Sequence, residues 1–272
     1  MNRTTPTYER CFLFLGQRRG GQHAIIYWVG WHWDKSLWHH HNGRIPGERF
    51  SGCDNRFAAL VSFEDINFSS SEFDVHDAVS GLCCPAGVDR IVMIRDPFNL
   101  FASRLRMWKT LTKPSRNQAP TLPPPELWKV YAREFLQDTD YLSWAAKINY
   151  NRWFSSEGYR RSIEARLGLP ECPNNDGLFK VPGQAGGSSF DRRQYNGQAN
   201  KMKVMSRWLK YIDQDEYVCG FDDEILNLAS RLFLDGESVR CPDTIESRRN
   251  MVVEMAYEVE RRYSVGEREQ CD

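Results

Sequence analysis

The sequence has no apolar run near the ~20 residues that span a bilayer. Its first apolar stretch, Cys11–Leu15, is too short for the core of a secretory signal, and it comes before the basic pair Arg18-Arg19 instead of after one. The eight cysteines contain no CxxC pair. Without a secretory signal, the expectation is reduced thiols in a cytosol, not a disulfide framework. Charge of one sign is missing too. Thirty-six Lys+Arg balance thirty-six Asp+Glu, a formal net charge of +0, which excludes non-specific binding of duplex nucleic acid over the whole surface and leaves room only for a local basic cleft. Internal repeats and low-complexity tracts are absent as well. The remainder is ordinary: 272 residues, 41% hydrophobic and 26% charged, which excludes a disordered or collagen-like chain. Residues 1–272 read as one globular domain, cytoplasmic and without a membrane span.

Short apolar runs closed by turn residues mark buried strands at Cys11–Leu15, ended by Gly16, and at Phe57–Phe63, closed by Glu64-Asp65. A third lies at Val88–Ile94, with Asp96-Pro97 after it, and a shorter one fits Ala146–Tyr150. Helical patterns cover about residues 22–38, then Pro97 to about Lys109, with Asp96 as N-cap and Pro97 as first helical residue. Further helices fit Glu126–Leu136 and about Ser156 to Leu167, the latter stopped by Gly168 and Pro170. Lys113–Pro125 holds five prolines in thirteen residues, a density that forbids helix and interior strand and predicts a loop or lid. Asn174–Asn200 reads as mostly irregular, and the region from about Lys201 as mainly helical. Strands alternating with helices predict an α/β fold: a central parallel sheet covered on both faces, a three-layer sandwich, with a helical C-terminal part. Ligands of such sheets gather at the carboxyl ends of the strands.

Two segments placed there carry anion chemistry. Gly16-Gln17-Arg18-Arg19-Gly20-Gly21-Gln22-His23 leads from the first strand into a helix. Such a turn offers backbone N–H groups, the positive helix end and two guanidinium groups to an anion. It reads either as a phosphate loop or as a plain β–α turn with exposed arginines. The triphosphatase motif GxxxxGK[ST] is not met, because Gln22-His23 follows Gly21. After the third strand, Arg95 stands at the strand tip and Ser103 about two turns into the next helix. A long guanidinium and a hydroxyl on one side form a second anion site; the alternative is an Arg capping a carbonyl and a Ser facing solvent.

Together these motifs resemble those of sulfotransferases that use 3′-phosphoadenosine 5′-phosphosulfate (PAPS). Arg18-Arg19-Gly20-Gly21-Gln22-His23 is similar to the family's 5′-phosphosulfate loop, with Arg19 where the family usually has Lys and Gln22-His23 for its customary Thr or Ser pair. Arg95-Asp96-Pro97, with Ser103 eight residues after the Arg, resembles the 3′-phosphate motif in full spacing. Ile148–Trp153, followed by a helix ending Leu167-Gly168, resembles the segment whose Tyr, here Tyr150, lies near adenine. Gly186-Gly187-Ser188-Ser189-Phe190 falls where the family closes a C-terminal loop on the cofactor, and Arg192, Arg193 or Lys201 could supply the basic contact there. The resemblance spans roughly residues 11 to 200. It implies a P-loop NTPase-like fold and sulfuryl transfer from PAPS, without a metal, to a hydroxyl or amine on a small-molecule, carbohydrate or lipid acceptor. The implied binding residues are Arg18, Arg19, Gly20, Gly21, Gln22, His23, Ala24, Arg95, Ser103, Tyr150, Gly187 and Ser188.

Sulfuryl transfer needs positive support for the leaving oxygen and a base for the acceptor proton. Glu64, at the end of the second strand, is the candidate base, with Asp65 beside it. His23 is the rival and Arg19 the electrostatic partner. The His32, His39, His40, His41 cluster lacks metal-ligand spacing and reads as a polar loop after the helix. Trp28, Trp31 and Trp38 read as one helical core face. Trp153 and Phe190 read as an adenine sandwich or as core, Cys83-Cys84 as thiols without a task, and Lys201, Lys203, Arg207 and Lys210 as a solvated helix face. Two other functions share a phosphate loop and parallel sheet: a nucleotide or small-molecule kinase, and a non-catalytic module that binds adenosine bisphosphate.

Overall fold

Short, densely apolar strands need cover on both faces, and the chain provides it. The structure, a computed structural model, describes residues 8–33, 37–41, 58–70, 84–110, 122–142, 144–171, 176–181, 188, 190–236 and 239–264. Five strands form one sheet: β1 (Arg10–Gly16), β2 (Leu37–His41), β3 (Ala58–Glu64), β4 (Val88–Ile94) and β5 (Ala146–Asn149). They lie in the order β2-β3-β1-β4-β5, and every pairing is parallel. Residues alternate between faces along a strand. Accordingly Phe12 and Phe14 join one core with Ile25, Ile26, Met93, Ile148 and Trp153. Leu13 and Leu15 join another with Val92, Phe98, Trp128, Phe221 and, from the last helix, Val252, Ala256 and Val259. Two apolar layers on opposite faces of one sheet make the three-layer sandwich.

The helices are α1 (Gln22–Trp31), α2 (Pro97–Thr110), α3 (Pro124–Leu136), α4 (Tyr150–Ser155), α5 (Glu157–Leu167), α6 (Asp176–Phe179), α7 (Asp215–Val218), α8 (Asp223–Ala229) and α9 (Ile245–Tyr263). Capping explains several of their boundaries. Ser156 Oγ accepts from the Tyr159 amide at the start of α5, and Gly168, at φ 54°, closes it in the left-handed region. Asp96 accepts from the Asn99 amide at 2.7 Å as α2 begins.

Four expectations need correction. The first helix stops at Trp31, and Leu37–His41 is an edge strand, not the helix end and polar loop read from the sequence. A strand tolerates His39 because its Nε2 meets Ser62 Oγ of β3 at 2.7 Å, which satisfies a buried ring. Trp38 therefore lies on β2, whereas Trp28 is core and Trp31 is only partly buried. Pro124 and Pro125 belong to α3, since the first helical turn has no use for their missing N–H groups; residues 113–121 of the proline-rich segment lie outside the described residues. Tyr150 opens α4 instead of ending a strand. The run from Lys201 to Lys210 is two separate 3₁₀ turns, Ala199–Lys201 and Arg207–Lys210, and Arg207 is buried. Phe57 and Cys83 lie outside the described residues; the cysteines within them, Cys11, Cys84, Cys219 and Cys241, form no disulfide. No helix among the described residues is long and apolar enough to cross a membrane.

A buried polar network ties the halves of the sheet's upper edge together. Asp96 also accepts from Asn151 Nδ2 at 2.9 Å, and its amide donates to Asn151 Oδ1 at 3.2 Å. Asn99 Oδ1 accepts from the Arg207 amide at 2.8 Å. Breaking such a network leaves several buried donors unpaired. Asp96→Ala should cost about 3 kcal/mol of stability, read from urea unfolding; a loss below about 1 kcal/mol would contradict this role.

Candidate functional site

Parallel pairing brings the carboxyl ends of β1, β3 and β4 side by side, and the chain crosses from one side of β1 to the other between β3 and β4. The turn after β1 lies at that switch point. Gly20 N donates to Gln17 O at 2.9 Å, and Arg19 sits at φ 68°, left-handed for a non-glycine residue. Gly21 is the N-cap of α1 at φ 98°, and a Cβ there would lie 2.2 Å from Tyr150 Cε2. Only glycine fits between this helix start and the Tyr150 ring. The first amides of α1 have no acceptor within the helix, although Ala24 N already donates to Gly21 O at 2.9 Å.

Asp65 holds the turn from below. Its Oδ1 accepts from the Arg18 amide at 2.9 Å and pairs with Arg104 of α2, whose Nε donates to Arg18 O at 3.2 Å. Glu64 lies at the tip of β3, its carboxylate 3.5 Å from Arg18 Nε and 3.9 Å from His23 Nδ1. The sequence-derived pair Glu64 and His23 is thus brought to one place, with His39 edge-on to His23 at 6.3 Å between ring centroids. Burial pushes the Arg19 guanidinium below its ordinary value, an effect that Glu64 opposes and Arg18 and Arg104 reinforce.

The second cluster centres on two arginines. Arg95 is 1% exposed; it donates to Arg19 O at 3.2 Å and Val204 O at 2.5 Å, and its guanidinium lies 5.0 Å from the Tyr150 ring centroid. Arg207, 7% exposed, donates to Ser103 Oγ at 3.3 Å and Ser188 Oγ at 2.8 Å. Ser103 itself donates to Asn99 O at 2.8 Å. Burial first, and then Arg95, push Arg207 down to about 9. Among the described residues, the Nε atoms of both arginines are buried without a hydrogen-bond partner, as are the side-chain amides of Gln17 and Gln22. The two Nε atoms are unmet donors within a buried cluster of positive charge, and each amide leaves both a donor and an acceptor unmet.

The sequence pattern pairs Arg95 with Ser103 but does not reveal Arg207, which touches Ser103 and Ser188 and feels the charge of Arg95. Its place in a run of basic residues suggests a solvated face; the apolar neighbours Val204, Met205 and Trp208 are the one signal to the contrary. Arg192, Arg193 and Lys201 are exposed. Trp153 is core, packed on Trp28 and Tyr150, while Phe190 lies 4.9 Å from the guanidinium groups of both Arg106 and Arg207. Gly187 lies outside the described residues. Among the described residues, no three His, Cys, Asp or Glu side chains gather where a metal ion could be held.

No protein-family model matches the chain, and no curated protein matches it. Among solved structures it is similar to mouse sulfotransferase SULT7A1 complexed with PAP, at 12% sequence identity and a TM-score of 0.46, over 90% of each chain. At that level the likeness says nothing of chemistry, which has to be read from the residues of the site.

A buried cation with little compensation costs stability, so removing it relieves the free protein. Millimolar sulfate should raise the melting temperature of the wild type, and Arg207→Met should leave that of the free protein unchanged or higher while abolishing the sulfate effect. A large loss of stability with sulfate binding intact would contradict the site.

Proposed function

We propose that this protein transfers a sulfuryl group from PAPS to a hydroxyl or amine acceptor. The observation that carries the reading is the buried pair Arg95 and Arg207 beside Ser103, with unmet guanidinium donors, next to a glycine turn bearing Arg18 and Arg19. The residues suit a nucleotide with anionic groups at both ends. Arg95, Arg207, Ser103 and Ser188 would hold its 3′-phosphate, and Tyr150 would border the purine. Arg18, Arg19 and the amides from Gly20 to His23 would hold the 5′ end.

When bound, PAPS supplies the sulfuryl group, and the protein supplies position and charge. Arg19, already short of solvation, offers a strong donor to charge developing on the leaving oxygen. Glu64 is the candidate acceptor of the proton from the attacking hydroxyl or amine, with Arg18 and His23 fixing its carboxylate. The acceptor belongs to the small-molecule, carbohydrate or lipid class. The absence of Lys-Ser/Thr after Gly21 disfavours the kinase alternative.

Calorimetry with 3′,5′-adenosine bisphosphate and with ATP tests this reading. The bisphosphate should bind without Mg²⁺ and ATP should bind at least about tenfold more weakly; preferential, Mg²⁺-dependent binding of ATP would overturn it. A bound anion favours charged Arg207, so binding takes up protons, and affinity should fall as pH rises through about 9. Flat affinity across that range would contradict a direct contact with Arg207. Glu64→Gln should lower kcat by about 10²-fold or more with little change in bisphosphate binding; an unchanged kcat would remove the base assignment alone.

A further inference from the structure

The surroundings of the Arg207 guanidinium already hold one negative charge, supplied by the protein. Asp191 Oδ2 lies 3.7 Å from Arg207 Nη2, outside hydrogen-bond range, and accepts from Ser188 Oγ at 3.2 Å. Those are two of the donors assigned above to the 3′-phosphate. The segment carrying Asp191 is a tight turn: Ser188 N donates to Arg192 O at 3.0 Å, and Arg192 N donates to Ser188 O at 2.9 Å. Phe190 anchors it, with Arg106, Arg207 and Lys210 within 4.9, 4.9 and 5.2 Å of its ring centroid. The Asp191 side chain is 26% exposed, so its carboxylate has a route to water.

We infer that Asp191 is an internal counter-ion that occupies part of the anion seat in the unliganded protein, yields it to the 3′-phosphate, and thereby sets the affinity for that group. This rests on the proposed function for the identity of the ligand. A carboxylate at 3.7 Å is a loose partner, whereas a phosphate brings more charge and three acceptor oxygens to the same donors. The exchange restores hydration to Asp191 and gives Arg207 a closer anion. Because Asp191 shares its donors only with the 3′ end, its competition falls on 3′-phosphorylated nucleotides and spares those with a free 3′-hydroxyl.

The test is calorimetry on the full chain and on Asp191→Asn, with 3′,5′-adenosine bisphosphate, 5′-AMP and inorganic sulfate as separate probes. The Asn variant should bind the bisphosphate about tenfold more tightly, bind sulfate more tightly, leave 5′-AMP unchanged, and melt lower when free. A purely structural Asp191 would lower both melting temperature and affinity, so equal or weaker bisphosphate and sulfate binding overturns the inference. Should the Asn variant fail to fold, Asp191→Glu decides: it keeps the carboxylate and should stay within about threefold of wild type, and tighter binding by it overturns the inference. A wild-type chain that binds sulfate but not the bisphosphate defeats the proposed function, while the sulfate arm still decides the role of Asp191.

Discussion

Two guanidinium groups sit inside this protein with carbonyls and hydroxyls for company and only loosely placed carboxylates. Arg95 spends its donors on Arg19 O and Val204 O, and Arg207 spends its own on Ser103 and Ser188. The acidic oxygens beside them, on Asp96 and Asp191, stand 3.9 and 3.7 Å away. Burying like charges together is unfavourable unless something else supplies the opposite sign. An anionic ligand would meet that requirement more closely than these carboxylates do, and the arginines stand at the end of the sheet where parallel α/β folds bind ligands.

The scaffold makes this arrangement tolerable. Trp128 of α3 donates to Arg95 O at 2.9 Å, fixing the strand tip from one side. Asn151 of α4 and Asn99 of α2 meet at Asp96, and Asn99 carries the link on to the Arg207 amide. Each member is satisfied by another, so the network holds the two arginines in register while Asp96 stands no closer than 3.9 Å to Arg95. Asp65 does the same for the glycine turn, accepting from Arg18 and pairing with Arg104. Rigid support and unmet charge therefore occur on different residues, an organisation suited to binding.

Much of this is legible in sequence because strand tips and helix starts leave local signatures. The β4–α2 junction is readable from Asp96-Pro97, a cap followed by a first-turn proline, and the β1 turn from its glycines. Three features are not. The edge strand at Leu37–His41 is hidden because His39 looks polar, and only a partner on another strand, Ser62, makes its burial acceptable. Pro124 and Pro125 look like loop until their place at the start of α3 is known. Arg207 is the largest omission: its role depends on Ser188 and Ser103, 19 and 104 positions away, and local pattern does not encode such contacts.

The proposed function has a phosphate received beside Arg95, Arg207 and Ser103. A crystal structure of the chain with 3′,5′-adenosine bisphosphate tests that most directly. The 3′-phosphate should lie within hydrogen-bond distance of both guanidinium groups and of Ser103. A nucleotide bound with that phosphate in solvent, and both arginines still joined only to protein groups, would contradict it.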